Sequence, residues 1–316
     1  MTLILAIETP HYVIQAGDRL VTIHGSGEIH DRTANKALVI RARNGLAALS
    51  YSGTAYVERQ PTDQWIARVI TGVAEEFRGI RLGKTNIGTR TIDQVLHSLK
   101  LALDARSEPK HGLAVQTVGW KIVNRRRLSP FSHTMTWGQQ SNASQTLKPW
   151  WRRPRKELVP LNAIGGAEAA GLTLLNSKIG AYRQARGAFP PAEDAEKIIV
   201  EVIREISSFD KTVGPNVLTI ALPNPSMPDG RNKVQFFPAD EHNGVISSET
   251  GPMPNIVIPV AHSPWLTSRR IIYQPSSIVG KWTHDLSGVE IDLIGASPLR
   301  GVLAASSSIN RRPPPI

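Results

Sequence analysis

The sequence predicts an α+β fold built in four layers, α-β-β-α, in which two antiparallel sheets are flanked by pairs of helices. Three observations lead there. Short apolar runs of strand length come first, helical spacing follows over two segments, and strands and a second helix pair then return before a last run of strands. This order lacks the strict strand-helix alternation that marks a parallel doubly wound sheet. Each helical segment carries one apolar face, and such a face must cover a sheet to leave water.

Leu3 to Ile7 and Tyr12 to Ala16 are apolar runs separated by a turn at Thr9-Pro10, which predicts a hairpin at the N-terminus. Lys36 to Arg43 and Leu46 to Tyr51 form a second pair, with Asn44-Gly45 as a dipeptide that tolerates positive φ in a tight turn. Ile66, Val69, Ile70 and Val73 are spaced as on a helix, and so are Ile92, Val95, Leu96, Leu99 and Leu103. From Gly112 to Val123 the chain reads as extended. A basic and aromatic insert at about 124–157 then interrupts it, and apolar character resumes at Leu158 to Ile164. Ala167 to Lys178 predicts a third helix. A fourth starts near Pro190-Pro191, where Glu193 and Asp194 suit a helix N-terminus and Ile198, Ile199, Val202, Ile203 and Ile206 form one stripe. Asn216 to Leu222 and Lys233 to Phe237 read as a hairpin about Pro228-Asp229-Gly230.

Residues 1–239 therefore read as one catalytic-size domain, and 240–316 as a strand- and loop-rich extension with strand candidates at Ile256 to Val260, Arg270 to Tyr273 and Val289 to Leu293. Its end, Arg311-Arg312-Pro313-Pro314-Pro315, has the composition of a disordered tail.

The chain has no cysteine, which removes disulfides, thiolate nucleophiles and cysteine-based zinc sites. No apolar run approaches the roughly 18 residues of a membrane span, and no leader pattern is present, so a cytoplasmic protein with no membrane partner is expected. The histidines have no helical metal-site spacing and no glycine loop cradles a phosphate, so no cofactor or metal is expected. A net charge of +11 would suit a polyanion, but it concentrates in Arg125-Arg126-Arg127, Arg152-Arg153-Pro154-Arg155-Lys156, Arg269-Arg270 and Arg311-Arg312, which read as loops or tails. Trp150 and Trp151 beside such cations could stack on bases. A lid or assembly loop whose tryptophans pack on a neighbour is the favoured reading, and nucleic acid the alternative.

Thr2 is small enough for Met1 to be removed before it, which would leave a threonine with a free α-amine. Nucleophile and base would then share one residue, since an α-amine titrates near about pH 8 and can take the hydroxyl proton. The neighbourhood extends this pattern. Thr2-Leu3-Ile4-Leu5-Ala6-Ile7, Val13 to Thr22 around Ala16-Gly17-Asp18-Arg19, Asn35 to Ile40 around Lys36, and Ser52-Gly53-Thr54-Ala55 together resemble the start of proteasome β-subunits and their bacterial relatives, N-terminal-nucleophile hydrolases. The resemblance follows element order over roughly residues 2–238, and its specific part is the first 60 residues.

What the resemblance implies is a threonine-type peptidase or amidohydrolase that assembles as a homo-oligomer, a ring or stacked ring, and takes a peptide or amide substrate. Thr2 would be the nucleophile. Asp18, sixteen residues beyond it, would pair with Lys36, across a longer loop at His24-Gly25-Ser26-Gly27. Lys36 would lower the amine pKa by like-charge repulsion and stabilise an alkoxide. Gly53, where a strand enters the first helix, would offer its N–H to the oxyanion, and Asp210 would hold the amine. Read singly, Asp18 is a turn residue, Lys36 an exposed strand lysine and Gly53 a hinge; read jointly and in order, they are a site. Two positions depart from the family pattern, Gly165 and Val213, where active members carry serine. They keep open a second function, a weakly active or inactive assembly protein, with nucleic acid on its basic insert as a variant of that reading.

Overall fold

The computed structural model describes residues 2–23, 26–31, 34, 36–58, 60–71, 90–105, 112–123, 127–138, 143–147, 161–226, 233–237 and 239, together with five short strands between 243 and 293. The fold is α+β, with helices and predominantly antiparallel sheets.

The first strands, β1 (Leu3–Glu8) and β2 (Tyr12–Asp18), form the predicted hairpin, with Ile7 opposite Ile14. Thr9 closes it: its Oγ1 accepts from the N–H of His11 and Tyr12 and donates to the Tyr12 carbonyl. Every residue of β1 is buried, which is why it reads as an unbroken apolar run and not as an alternating one. A small hairpin, β3 (Val21–Thr22) and β4 (Ile29–Asp31), follows, pinched at its base where the Arg19 Nε donates to the Ala34 carbonyl at 3.0 Å.

β5 (Ala37–Ala42) and β6 (Gly45–Gly53) form the second predicted pair, but their turn is Arg43-Asn44. Gly45 already belongs to β6. Its glycine is required for a different reason, because a Cβ there would lie 2.1 Å from the Trp120 carbonyl oxygen of a neighbouring strand. Asn44 serves instead as a cap: its Oδ1 accepts from the Ile92 N–H at 2.7 Å.

A short hairpin, β7 (Tyr56–Val57) and β8 (Gln60–Pro61), precedes α1 (Thr62–Thr71). α1 buries Trp65, Ile66 and Ile70, while Val73 lies outside the described residues. α2 (Ile92–Asp104) buries Ile92, Val95, Leu96, Leu99 and Leu103, the five residues picked out by helical spacing. It opens on a capping box in which Thr91 accepts from the Gln94 N–H and Gln94 accepts from the Thr91 N–H. Thr91→Ala is therefore expected to cost about 1 kcal/mol of stability, read as a lower midpoint in urea unfolding at unchanged slope.

β9 (Leu113–Val123) is followed by β10 (Arg127–Trp137) and β11 (Ala143–Leu147), so the stretch read as a basic insert carries two strands of regular sheet. β10 escapes recognition because its residues 129, 132, 134 and 136 are hydroxylic and Pro130 interrupts it. Phe131, Met135 and Trp137 are nonetheless buried at strand period in one apolar cluster. The remainder comprises β12 (Leu161–Gly165), α3 (Glu168–Arg186), α4 (Ala192–Phe209), β13 (Val217–Pro223) and β14 (Lys233–Phe237). The short strands β15 (Asn243–Gly244), β16 (Ile258–Pro259), β17 (Pro275–Ser276), β18 (Lys281–Thr283) and β19 (Glu290–Leu293) complete it. β13 and β14 pair as expected. The turn at Pro228-Asp229-Gly230 and the strand candidate Arg270 to Tyr273 lie outside the described residues.

One sheet runs β12-β1-β2-β13-β14-β18-β17 and the other β11-β10-β9-β6-β5-β19, with β19 against β5 the parallel pair. Three apolar clusters hold them. Leu3, Leu5, Ile7 and Ile14 meet Leu175, Ile179, Ile199, Val202 and Ile203 of α3 and α4. Leu38, Ile40, Leu49 and Val115 meet Trp65, Ile66, Val95 and Leu99 of α1 and α2. Between the sheets lie Ala6, Val13, Val39, Ala48, Val118, Trp120, Ile220 and Leu222, where the Trp120 indole N–H also donates to the Leu222 carbonyl at 2.9 Å. Among the described residues, no helix is long and apolar enough to cross a membrane.

Candidate active site

Thr2 stands at the head of β1, where neighbouring strands on either side and the second sheet converge on its backbone. It is 4% exposed, with Asp18 at 0% and Lys36 at 5%. Asp18 ends β2 opposite Val217, and Lys36 immediately precedes β5 in the other sheet. Two sheets therefore deliver the nucleophile candidate and the lysine to one point.

The Lys36 Nζ donates to the Thr2 Oγ1 and to the Leu20 carbonyl and lies 3.6 Å from the Asp18 Oδ2. An ammonium with acceptors in all three of these directions is held in one geometry. Asp18 is held as firmly: Oδ1 accepts from the Leu3 N–H at 2.7 Å, and Oδ2 accepts from Leu20 at 2.9 Å and from Gly214 at 3.1 Å. Burial pushes the Asp18 carboxyl above the usual carboxylate range, while the Lys36 ammonium and the N–H groups of Gly214, Leu20 and Leu3 pull it back. All of these neighbours are donors or cations, so they favour the ionised form.

The Thr2 carbonyl accepts from the Ser52 Oγ at 2.9 Å and from the Gly166 N–H at 3.0 Å. Gly165, at φ 106°, makes room for it, because a Cβ there would lie 1.6 Å from that carbonyl oxygen and 2.6 Å from the Ser52 Oγ. The glycine at 165, where the resemblance led us to expect serine, is thus fixed by a close backbone approach, and a serine there has no space. Gly165→Ala is expected to cost at least about 1–3 kcal/mol from the backbone region alone, with further loss from the contact. Thermal unfolding of the variant measures it, and a melting temperature equal to the parent's would contradict the contact. Ala167, at φ 55° just before α3, is a second left-handed residue beside the site. Glu168 reaches back to accept from the Gly165 N–H at 3.0 Å, and burial raises its carboxyl pKa against that bond.

The remaining sequence-selected residues stand differently. Gly53 ends β6 next to Ser52, but α1 starts only at Thr62, after the β7–β8 hairpin, so Gly53 is not the start of a helix. Its φ of 101° and a Cβ position 2.0 Å from the Gly112 carbonyl oxygen demand glycine on backbone grounds. The Asp210 Oδ1 accepts from the N–H of Thr212 at 2.9 Å and from its hydroxyl at 2.7 Å, so among the described residues its carboxylate bonds lie within its own turn and not on Thr2. Val213 is buried in the apolar cluster under α4, and this loop reaches Asp18 through the Gly214 N–H.

No family model matches the chain, and no curated protein matches it. Solved structures do. Anbu from Hyphomicrobium sp. strain MC1 is similar at 14% identity and a TM-score of 0.46, over 73% of this chain and 86% of that one. The Anbu (Gly-1) mutant from the same strain is similar at 13% identity and a TM-score of 0.47, over 74% and 87%.

Sequence reading gave no role to Ser52, Gly166, Gly214 or the Leu20 carbonyl, although Ser52 and Leu20 lie in the stretches that carry the resemblance. Three of these act through the main chain, which leaves no side-chain signature. Ser52 had one signal, its alternation with Ser50 inside an otherwise apolar strand. Trp150 to Lys156, with Arg125 and Arg126, lie outside the described residues.

Proposed function

We propose that this chain is a threonine-type N-terminal-nucleophile peptidase or amidohydrolase of the proteasome β-subunit-like kind, in a four-layer α-β-β-α fold, with Thr2 the first residue of the mature protein. The observation that carries the reading is the Lys36 ammonium on the Thr2 hydroxyl, fixed from behind by Asp18 and the Leu20 carbonyl.

In this mechanism the Thr2 Oγ1 attacks the substrate carbonyl carbon while its own α-amine takes the hydroxyl proton. Lys36 stabilises the alkoxide as it forms and disfavours a second positive charge on the amine, keeping that amine a free base near neutral pH. The Gly53 N–H serves the oxyanion. Collapse breaks the C–N bond, the α-ammonium gives its proton to the leaving amine, and an ester on Thr2 remains. Water, deprotonated by the same amine, then cleaves that ester, and the α-ammonium returns its proton to the departing Thr2 Oγ1 as the acid product leaves. Asp210 contributes through its turn, which closes on Thr212 and Val213 and carries Gly214 to Asp18. Assembly is a homo-oligomer, a ring or stacked ring joined through helix layers, with nucleic acid not favoured as a partner.

The test is the intact mass of the purified protein before and after a β-lactone probe, with the adduct mapped by peptide sequencing. Loss of Met1 and one adduct on Thr2 are expected. Met1 retained on the bulk of the protein, or a label on another residue, would overturn the reading in favour of an inactive assembly protein.

A further inference from the structure

We propose that Ser52 is a positioning residue for the nucleophile, acting through the Thr2 carbonyl on the angle at which the Thr2 hydroxyl meets Lys36; this rests on the reading of Thr2 above. Ser52 is 3% exposed and belongs to β6 of the second sheet, whereas Thr2 heads β1 of the first. Its Oγ donates to the Thr2 oxygen at 2.9 Å, so the contact crosses between sheets.

The Thr2-Leu3 peptide unit is gripped on both edges. Its oxygen takes the Ser52 hydroxyl and the Gly166 N–H, and its N–H goes to the Asp18 Oδ1 at 2.7 Å. A peptide unit is planar, so three bonds to three different elements fix the plane. What remains free in the first residue is rotation about its Cα–C bond and its side-chain torsion. The amine, the hydroxyl and the Lys36 contact all hang on that single bond, so a small tilt of the plane moves the reacting oxygen most.

Among the three grips, Ser52 is the one made by a side chain of the opposite sheet. Two residues earlier on the same strand, Ser50 donates to the Gln15 Oε1 of β2 at 2.7 Å. The two hydroxyls therefore stitch the sheets together along one line that ends at the nucleophile. Gly165 completes the arrangement, since its missing Cβ is what lets the Thr2 oxygen and the Ser52 Oγ occupy the same space. Burial excludes water that could otherwise replace the serine hydroxyl.

A misplacement of about 1 Å can cost on the order of 100-fold in rate. Ser52→Ala is expected to lower kcat per labelled site by roughly 10- to 100-fold with KM within about two-fold, where sites are counted by β-lactone adducts. Ser52→Cys, whose sulfur is larger and donates only weakly, is expected to lose nearly as much. A structural role alone would reduce the number of labelled sites and the melting temperature and leave the rate per site unchanged. A kcat per labelled site within about two-fold of the parent in both variants overturns the proposal while leaving Thr2 as nucleophile. An unlabelled parent instead removes the nucleophile reading and this proposal with it.

Discussion

Alanine in place of Thr2 is expected to abolish hydrolysis, a loss on the order of 10⁴- to 10⁶-fold in kcat, in protein that still folds. The backbone bonds at this position survive the change, because the Ser52 and Gly166 donors bind the carbonyl and Asp18 binds the following N–H. Lys36 loses one acceptor and keeps Leu20 and Asp18. The structural cost is then that of one lost hydrogen bond, about 1 kcal/mol. Thr2→Ser keeps the hydroxyl and is expected to retain measurable turnover. Rates on a panel of fluorogenic peptides, compared at equal oligomer mass, decide the matter, and undiminished turnover in the alanine variant would place the chemistry on another residue.

Lys36→Ala is expected to be nearly as damaging to turnover and far more damaging to stability. Removing the ammonium leaves the Asp18 carboxylate buried with only its three N–H donors. Stranding one partner of a buried pair costs up to about 3–5 kcal/mol. The sign of its pH dependence follows from Asp18. Burial already raises that carboxyl, and without Lys36 the opposing pull weakens, so the folded-state pKa rises further above the unfolded value. The folded variant then holds a proton that the unfolded chain has released, and its stability falls as pH rises between the two values. The deficit relative to the parent should be larger near about pH 8 than near about pH 5, as read by urea unfolding. Lys36→Arg is expected to fail in catalysis as well, because a planar guanidinium cannot reach three acceptors set for a compact ammonium. An alanine variant with parental rate and an unchanged basic limb of the pH-rate profile would show that Lys36 takes no part.

Much of this was legible from residue order, and the rest was hidden for identifiable reasons. α2 was readable to the residue, because a helix covering one sheet declares its buried face by spacing alone. β1 and β2 were readable because both are almost wholly buried and so nearly continuous in apolar character. β10 was not, since its inter-sheet face carries Ser132, which accepts a hydrogen bond from Asn162, and a strand lined with satisfied hydroxyls looks like a loop in composition. The convergence of Thr2, Asp18 and Lys36 was implied by the resemblance and not by the residues read singly. The donors that fix them were not, because Gly166, Gly214 and Leu20 contribute main-chain groups that any residue type could offer. The glycines at 53 and 165 were noticed, but for reasons of chemistry; at both positions the immediate cause is a carbonyl oxygen lying where a Cβ would be.

The bond from Gly214 to Asp18 has a consequence for timing. The two residues are 196 positions apart, and β13, the strand that flanks β2, follows Gly214 in the chain. At about 5–20 residues per second, a ribosome needs roughly 10–40 s to pass from one to the other. During that interval Asp18 lacks one of its three N–H donors and β2 lacks its neighbour β13. The hold of Asp18 on the Leu3 N–H is therefore completed only once the loop at Gly214 has been made.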